Sequence, residues 1–431
     1  MSSGTGTERA AGGAAPPARR PPTTGHSPAR MVEAYERDRL AYLRAAAEEH
    51  GPVVELSPGT VLVAEPHAAH EVLRRTNTDF LTSANIMLEE IETQKGDPGL
   101  EEWMDGRRRM QSAMATDLFT GHRLWLAERT RELAGQWAEQ GEVRTAVADL
   151  ERMMGRSFVR FWFGNRSVPE VSGAVHALLA ALLPIVASPF RFPAPLRAVM
   201  PRYARAHRAR RRLVEGIRAA VAVPGSGGLA DTLIAAGMPP ELLVRMLVSN
   251  GIASYGVPAA ALSWSLTELA RHPGVADATA EAVRGLGRDD DAPDEVRWVL
   301  DESLRLWPPT WLLFRNALGT QVCGGWQLPA DCAVMVSPYV IQRTAGCYED
   351  PDTFRPERWR ELTPERGAFL PFGAGPRMCV GARLARAELE TVLGQLAATL
   401  DLGLLGGAHP EADVQRIMTP VGSGFTARAR G

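Results

Sequence analysis

A cysteine set among glycines is where residue type and spacing in this chain most directly permit chemistry. Residues 372–381 read Phe-Gly-Ala-Gly-Pro-Arg-Met-Cys-Val-Gly. Gly373, Gly375 and Gly381 allow unusual backbone angles, so the loop can approach a flat ligand closely. Directly behind Cys379, Ala385, Leu389, Val392, Leu393, Leu396 and Leu400 fall on one stripe of a helix. The N–H groups at the start of that helix favour a thiolate, the form of cysteine that binds metal. The competing reading is a glycine-rich turn that holds a buried, inert cysteine.

Other positions suit this loop. Trp103, Arg107 and Gln111 stand at i, i+4 and i+8, so an indole, a guanidinium and an amide share one helix face. Glu302 and Arg305, in Asp-Glu-Ser-Leu-Arg-Leu-Trp-Pro-Pro, lie at i and i+3 and also share a face. A long apolar helical pattern runs from Glu241 to Arg271 and ends in Glu-Leu-Ala-Arg-His-Pro.

In their order along the chain, these stretches resemble the cytochrome P450 family. Its ligand loop reads Phe-x-x-Gly-x-x-x-Cys-x-Gly, with Arg two residues before Cys; Phe372, Gly375, Arg377, Cys379 and Gly381 match. The resemblance implies a mainly α fold with small β-sheets and one large domain. The implied cofactor is heme b, iron protoporphyrin IX, with Cys379 as the axial thiolate, the metal ligand. Phe372 would shield the sulfur, while Trp103, Arg107, Arg315 and Arg377 would contact haem propionates. Glu302 and Arg305, with Arg358 as third partner, match the family's structural clamp. Phe80, Ile86, Met87 and Leu88 in the capping segment, Trp311, Leu312 and Leu313 beside the haem, and Met418 near the terminus are the expected substrate-pocket residues.

One stretch departs from the family. The usual Ala-Gly-x-acid-Thr-Thr falls on Ala253, Ser254, Tyr255, Gly256, Val257 and Pro258, so Gly256 replaces the acid and Val257 the first threonine. Cleaving an O–O bond requires protons, which a carboxylate and a hydroxyl relay through water. Pro258 lacks an N–H for the carbonyl of Ser254, and a kink is expected there. Ser254, Tyr255, Gly256, Val257 and Pro258 are therefore the candidate catalytic positions. Three readings stay open: an oxygen-activating monooxygenase with another proton source, an enzyme using peroxide or a substrate-derived group (including coupling or ring formation), and a non-catalytic haem sensor or carrier.

Composition fits a cytoplasmic enzyme. The 431 residues are 45% hydrophobic and 23% charged with formal net charge -2, so no basic field points to nucleic acid or membrane. Cys323, Cys332, Cys347 and Cys379 form no CxxC pair, which fits a reducing compartment. The chain has neither a secretory pattern nor an eighteen-residue apolar run. Without a nucleotide-binding glycine fingerprint, electrons are expected from a separate redox partner, a ferredoxin and its reductase, docking near Arg383 and Arg386. The substrate is expected to be a small organic molecule of bacterial specialised metabolism.

Residues 1–28, poor in large apolar side chains, read as a disordered tail, and 29–431 as the cytochrome P450 domain. The positioning elements are a helix over 31–50, a hairpin over 52–64, helices over 66–75 and 101–111, and long helices over 123–140 and 146–163. A helix near 171–185, interrupted by Pro184, Pro189, Pro193 and Pro195, and a basic helix over 203–221 resemble the family's lid over the substrate entrance. Its Arg205, His207, Arg208, Arg210, Arg211 and Arg212 read as a solvated face, or alternatively as a dock for an anionic partner. A strand over 310–314, short strands over 322–327 and 333–336, and a terminal hairpin over 414–426 complete the expectation.

Overall fold

The structure, a computed structural model, describes residues 18–82, 98–114, 118–166, 168–186, 200–223, 225, 227–285, 291–422 and 424–431. It opens with helices α1 (Pro28–Arg37) and α2 (Arg39–His50), the hairpin β1 (Val53–Ser57) and β2 (Thr60–Val63), α3 (Pro66–Arg74) and β3 (Phe80–Thr82). The helix expected over 31–50 is two helices because Asp38 adopts extended angles and caps the second, accepting from Ala41 N. Residues 18–27, assigned to a disordered tail, are tied down: Arg19 pairs with the 325–327 backbone, and Pro22 and Thr24 pair with Glu55.

The helical body follows. It comprises α4 (Pro98–Ala113), α5 (Leu118–Gln140), α6 (Ala146–Phe163), α7 (Pro169–Val186), α8 (Pro201–Val221), α9 (Leu229–Ala235), α10 (Pro240–Arg271), α11 (Pro273–Arg284) and α12 (Asp294–Leu306), with the short β4 (Glu142–Val143) after α5. Pro184 does not end α7, which runs to Val186, while Pro189, Pro193 and Pro195 lie outside the described residues. The central helix α10 buries residues on every side, including Leu243, Leu247, Gly251, Tyr255, Ala259 and Trp264, and continues through Pro258. A helix apolar all round belongs in the middle of a large core.

The C-terminal part supplies β5 (Leu313–Ala317), β6 (Gln321–Cys323), β7 (Trp326–Leu328), β8 (Ala333–Val336), α13 (Pro338–Ile341), α14 (Ala382–Thr399) and strands β9 (Leu400–Leu404), β10 (Glu411–Asp413), β11 (Thr419–Val421) and β12 (Phe425–Ala429). The largest sheet runs β1-β2-β8-β5-β3, parallel only between β2 and β8. Its β3–β5 pairing sets Thr82 opposite Arg315, which brings that arginine beside the turn after α3. The terminal hairpin expected over 414–426 is not one unit. β10 pairs with β11, while β12 lies between β9 and β4. Among the described residues, no helix is long and apolar enough to cross a membrane.

Candidate active site

The loop before α14 is shaped by close backbone contact. Gly375 has φ 71°, and a Cβ there would lie 2.3 Å from Leu73 O, so only glycine lets the loop close against the end of α3. Cys379 N–H donates to Phe372 O at 2.9 Å and closes the loop. Gly381 has φ -93° and no steric demand; its N–H instead points at the Cys379 sulfur. That sulfur is accessible, yet burial among protein atoms pushes the thiol pKa up, opposed by the Gly381 N–H and by Arg107. Cys379 is thus exposed as a residue while protein atoms crowd its thiol. Among the described residues, no group of three or more His, Cys, Asp or Glu could hold a metal ion.

Cationic groups lie near this cysteine. Arg107, on α4, donates to Met378 O, and α4 packs tightly on α10 because Gly106 leaves room for Met246. Arg377 Nε donates to Asn77 Oδ1 at 3.0 Å, and Arg315 Nε donates to Thr76 Oγ1 at 2.8 Å. Burial and then mutual repulsion lower these cations: Arg315, next to Arg377, falls to about 10, and Arg377, next to Arg107, also to about 10. Burial lowers Arg107 too. Among the described residues none of the three has a carboxylate partner. Trp103 Nε1 is buried with no acceptor among the described residues. Three partly desolvated cations and an orphaned donor are a poor arrangement alone and a good one for a dianionic ligand. The residues present therefore fit a haem: Cys379 would hold its iron, and Trp103, Arg107, Arg315 and Arg377 its carboxylates.

Behind the loop, Glu302 is fully buried and accepts from Arg305 Nε and NH2 (2.9 and 2.8 Å), Arg358 Nε (3.1 Å), Trp359 Nε1 (3.0 Å) and Arg355 N (2.9 Å). Arg305 also donates to the carbonyls of Gln342, Pro351 and Thr353. The clamp thus ties α12 to the segment leading toward the cysteine loop.

The other expected residues divide. Tyr255 turns away from the polar chemistry assigned to it, packing between Phe158, His176 and Gly155 with its ring fully buried. Ser254 spends its hydroxyl on Asn250 O at 2.6 Å. Beside Gly256, a Cβ would meet Ile417 Cδ1 at 3.1 Å and Glu151 Oε1 at 3.5 Å, so a carboxylate from α6 lies against the helix where its own acid is missing. Val257 is half-buried. Phe80 is a core residue of β3 rather than a loop contact. Met418 is fully buried, its backbone bonded to Pro309 and Trp264. Met418 thus reaches α10 at Trp264, and its neighbour Ile417, which the sequence reading missed, reaches the same helix at Gly256. Trp311 is also core, whereas Leu312 and Leu313 are half-buried. Ile86, Met87 and Leu88 lie outside the described residues. Of the proposed docking arginines, Arg383 is exposed, but Arg386 is engaged by Asp301 at 2.6 Å and Glu390 at 3.5 Å.

Comparison with known proteins gives the family and the fold. The cytochrome P450 family profile matches residues 20–420, and the chain belongs to that family of oxidoreductases. It is 27% identical over 425 residues to cyclooctat-9-en-7-ol 5-monooxygenase of Streptomyces melanosporofaciens, covering 89% of this chain and 90% of the relative. It is also 27% identical to ent-isokaurene C2/C3-hydroxylase of Oryza sativa subsp. japonica, covering 86% of this chain and 82% of the relative. Among solved structures, the retinoic acid bound cyanobacterial CYP120A1 has TM-score 0.77 and 18% identity, and CYP175A1 from Thermus has TM-score 0.75 and 24% identity. Each comparison covers 96% of this chain and 100% of the other, which shows the shared fold.

Proposed function

We propose that this protein is a haem-thiolate monooxygenase that inserts oxygen into an apolar small molecule of bacterial specialised metabolism, using heme b and electrons from a separate ferredoxin-type partner. The observation that carries this reading is the exposed Cys379, with Arg107 beside it and Arg377 in the same loop next to Arg107. A thiolate-held haem supplies oxygen activation, the thiolate pushing electron density that favours O–O cleavage. The names of the Streptomyces and rice relatives, a monooxygenase acting on an olefinic alcohol and a hydroxylase, support a largely hydrocarbon substrate. Val257, Leu312, Leu313 and Ile417 would offer it an apolar surface.

Protons are the difficult requirement, because Val257 has no hydroxyl and Ser254 donates its own to a helix carbonyl. Glu151, beside Gly256 and facing Arg416, is the titratable group we assign to this task. The absence of a hydroxyl at Val257 favours a second reading, in which the enzyme works with hydrogen peroxide or with a substrate-derived group on iron. Candidate apolar substrates would be offered with ferredoxin, reductase and oxygen, with hydrogen peroxide alone, and without oxygen. The first reading predicts oxygenated product in the reconstituted system and a pH–rate profile altered by Glu151→Gln. Product formed equally well without oxygen would establish the second.

A further inference from the structure

The turn that ends α3 carries two polar residues whose burial the site described so far does not explain. Thr76 is fully buried and Asn77 is 8% exposed. Thr76 Oγ1 accepts from Arg315 Nε at 2.8 Å and donates to Val72 O at 3.3 Å. Asn77 Oδ1 accepts from Arg377 Nε at 3.0 Å, and its Nδ2 leans on Met104 Sδ at 3.7 Å. Asn77 has φ 74°, a left-handed conformation that asparagine tolerates better than most residues. Its N–H donates to Phe80 O at 2.7 Å, which fixes the turn. Two consecutive side chains therefore hold two guanidinium groups that arrive from separate places, one from β5 and one from the cysteine loop.

The grip is on Nε in both cases. That leaves both terminal nitrogens of Arg377, and NH2 of Arg315, without a protein acceptor among the described residues. Like charges brought together while partly desolvated repel, and released side chains would swing apart. Anchoring them during folding means that an incoming anion need not organise them.

We propose that Thr76 and Asn77 are positioning residues that hold Arg315 and Arg377 side by side, so that their outer N–H groups receive the carboxylates of the bound haem. This rests on the reading that the arginine cluster is a haem-carboxylate site. Each would act through the arginine it holds. Asn77 also ties the cysteine loop to α3, close to where Gly375 meets Leu73, so one turn registers both the ligand loop and the anion site.

The test compares wild type, Thr76→Val and Asn77→Gly, the last keeping the left-handed backbone while deleting the amide. Each is reconstituted with iron protoporphyrin IX and, separately, with its dimethyl ester, which has the same ring without charged carboxylates. The readout is the rate of transfer to excess apomyoglobin. Each variant is expected to lose natural haem about tenfold faster than wild type, and to lose the ester at the wild-type rate. Equal acceleration for both porphyrins would overturn the proposal and leave Thr76 and Asn77 a purely structural role. A wild type that holds natural haem no longer than the ester would instead refute the carboxylate-site reading on which it rests. Should Asn77→Gly fail to fold, Thr76→Val carries the test, since it removes the acceptor that holds Arg315. Faster loss of natural haem alone is expected; unchanged retention of natural haem would count against the proposal.

Discussion

Replacing Trp103 by phenylalanine should move two quantities in opposite directions. Trp103 Nε1 is buried without an acceptor, and an unpaired buried donor costs about 1–3 kcal/mol. Phenylalanine removes that cost but surrenders part of the indole contact, roughly 1 kcal/mol for about 40 Å² of apolar surface. The haem-free protein should therefore be unchanged or more stable by up to about 2 kcal/mol. In the loaded protein, the indole N–H is expected to meet a carboxylate, and a hydrogen bond to a charged group contributes about 1.5–3 kcal/mol. Its loss should weaken haem retention roughly 10- to 150-fold. Urea unfolding of the haem-free forms and haem transfer to apomyoglobin measure the two sides. A Trp103→Phe protein that unfolds more easily when haem-free, yet keeps haem as long as wild type, would show that the orphaned donor is not there for the cofactor.

Glu302→Gln leaves Arg305 and Arg358 buried beside a neutral amide, so a loss of about 3–5 kcal/mol in denaturant stability is expected; a change below about 1 kcal/mol would show that the clamp matters little. Gly375→Ala places a Cβ against Leu73 O in a left-handed backbone, and should lower both stability and haem content measured per protein; normal haem content would contradict the required close approach. Binding of iron needs the Cys379 thiolate, while burial holds the thiol pKa above its usual value in the haem-free protein. Haem uptake must then release a proton, so affinity should rise about tenfold per pH unit until the thiol's own pKa and level off above it. Titration of the apoprotein with haem between about pH 6 and pH 9 would refute this if affinity were flat.

The pattern around the cysteine loop was legible because its signals are local. Phe372 to Gly381, Glu302 with Arg305, and Trp103 with Arg107 each lie within one turn or loop, where spacing fixes which side chains share a face. Helix α6 has the expected bounds, Ala146–Phe163, since its apolar periodicity is uninterrupted. The distal side was harder to read. Helix α10 is apolar all round, so no amphipathic phase distinguishes Tyr255, which faces the core, from Gly256, which meets Glu151 and Ile417. Ile417 and Met418 sit in the irregular segment between β10 and β11, where no period tells inward from outward. Asn77 left a faint signal, an asparagine just past a helix in Arg-Thr-Asn-Thr-Asp. Its hold on Arg377 spans 300 residues, which only the fold reveals.

The central claim is that Cys379 holds a haem by its thiolate. The most direct measurement is the absorption spectrum of the reduced protein under carbon monoxide, for wild type and Cys379→Ala. Thiolate ligation predicts a strongly red-shifted band in the wild type and its disappearance in the variant. The same band persisting in Cys379→Ala would contradict the account.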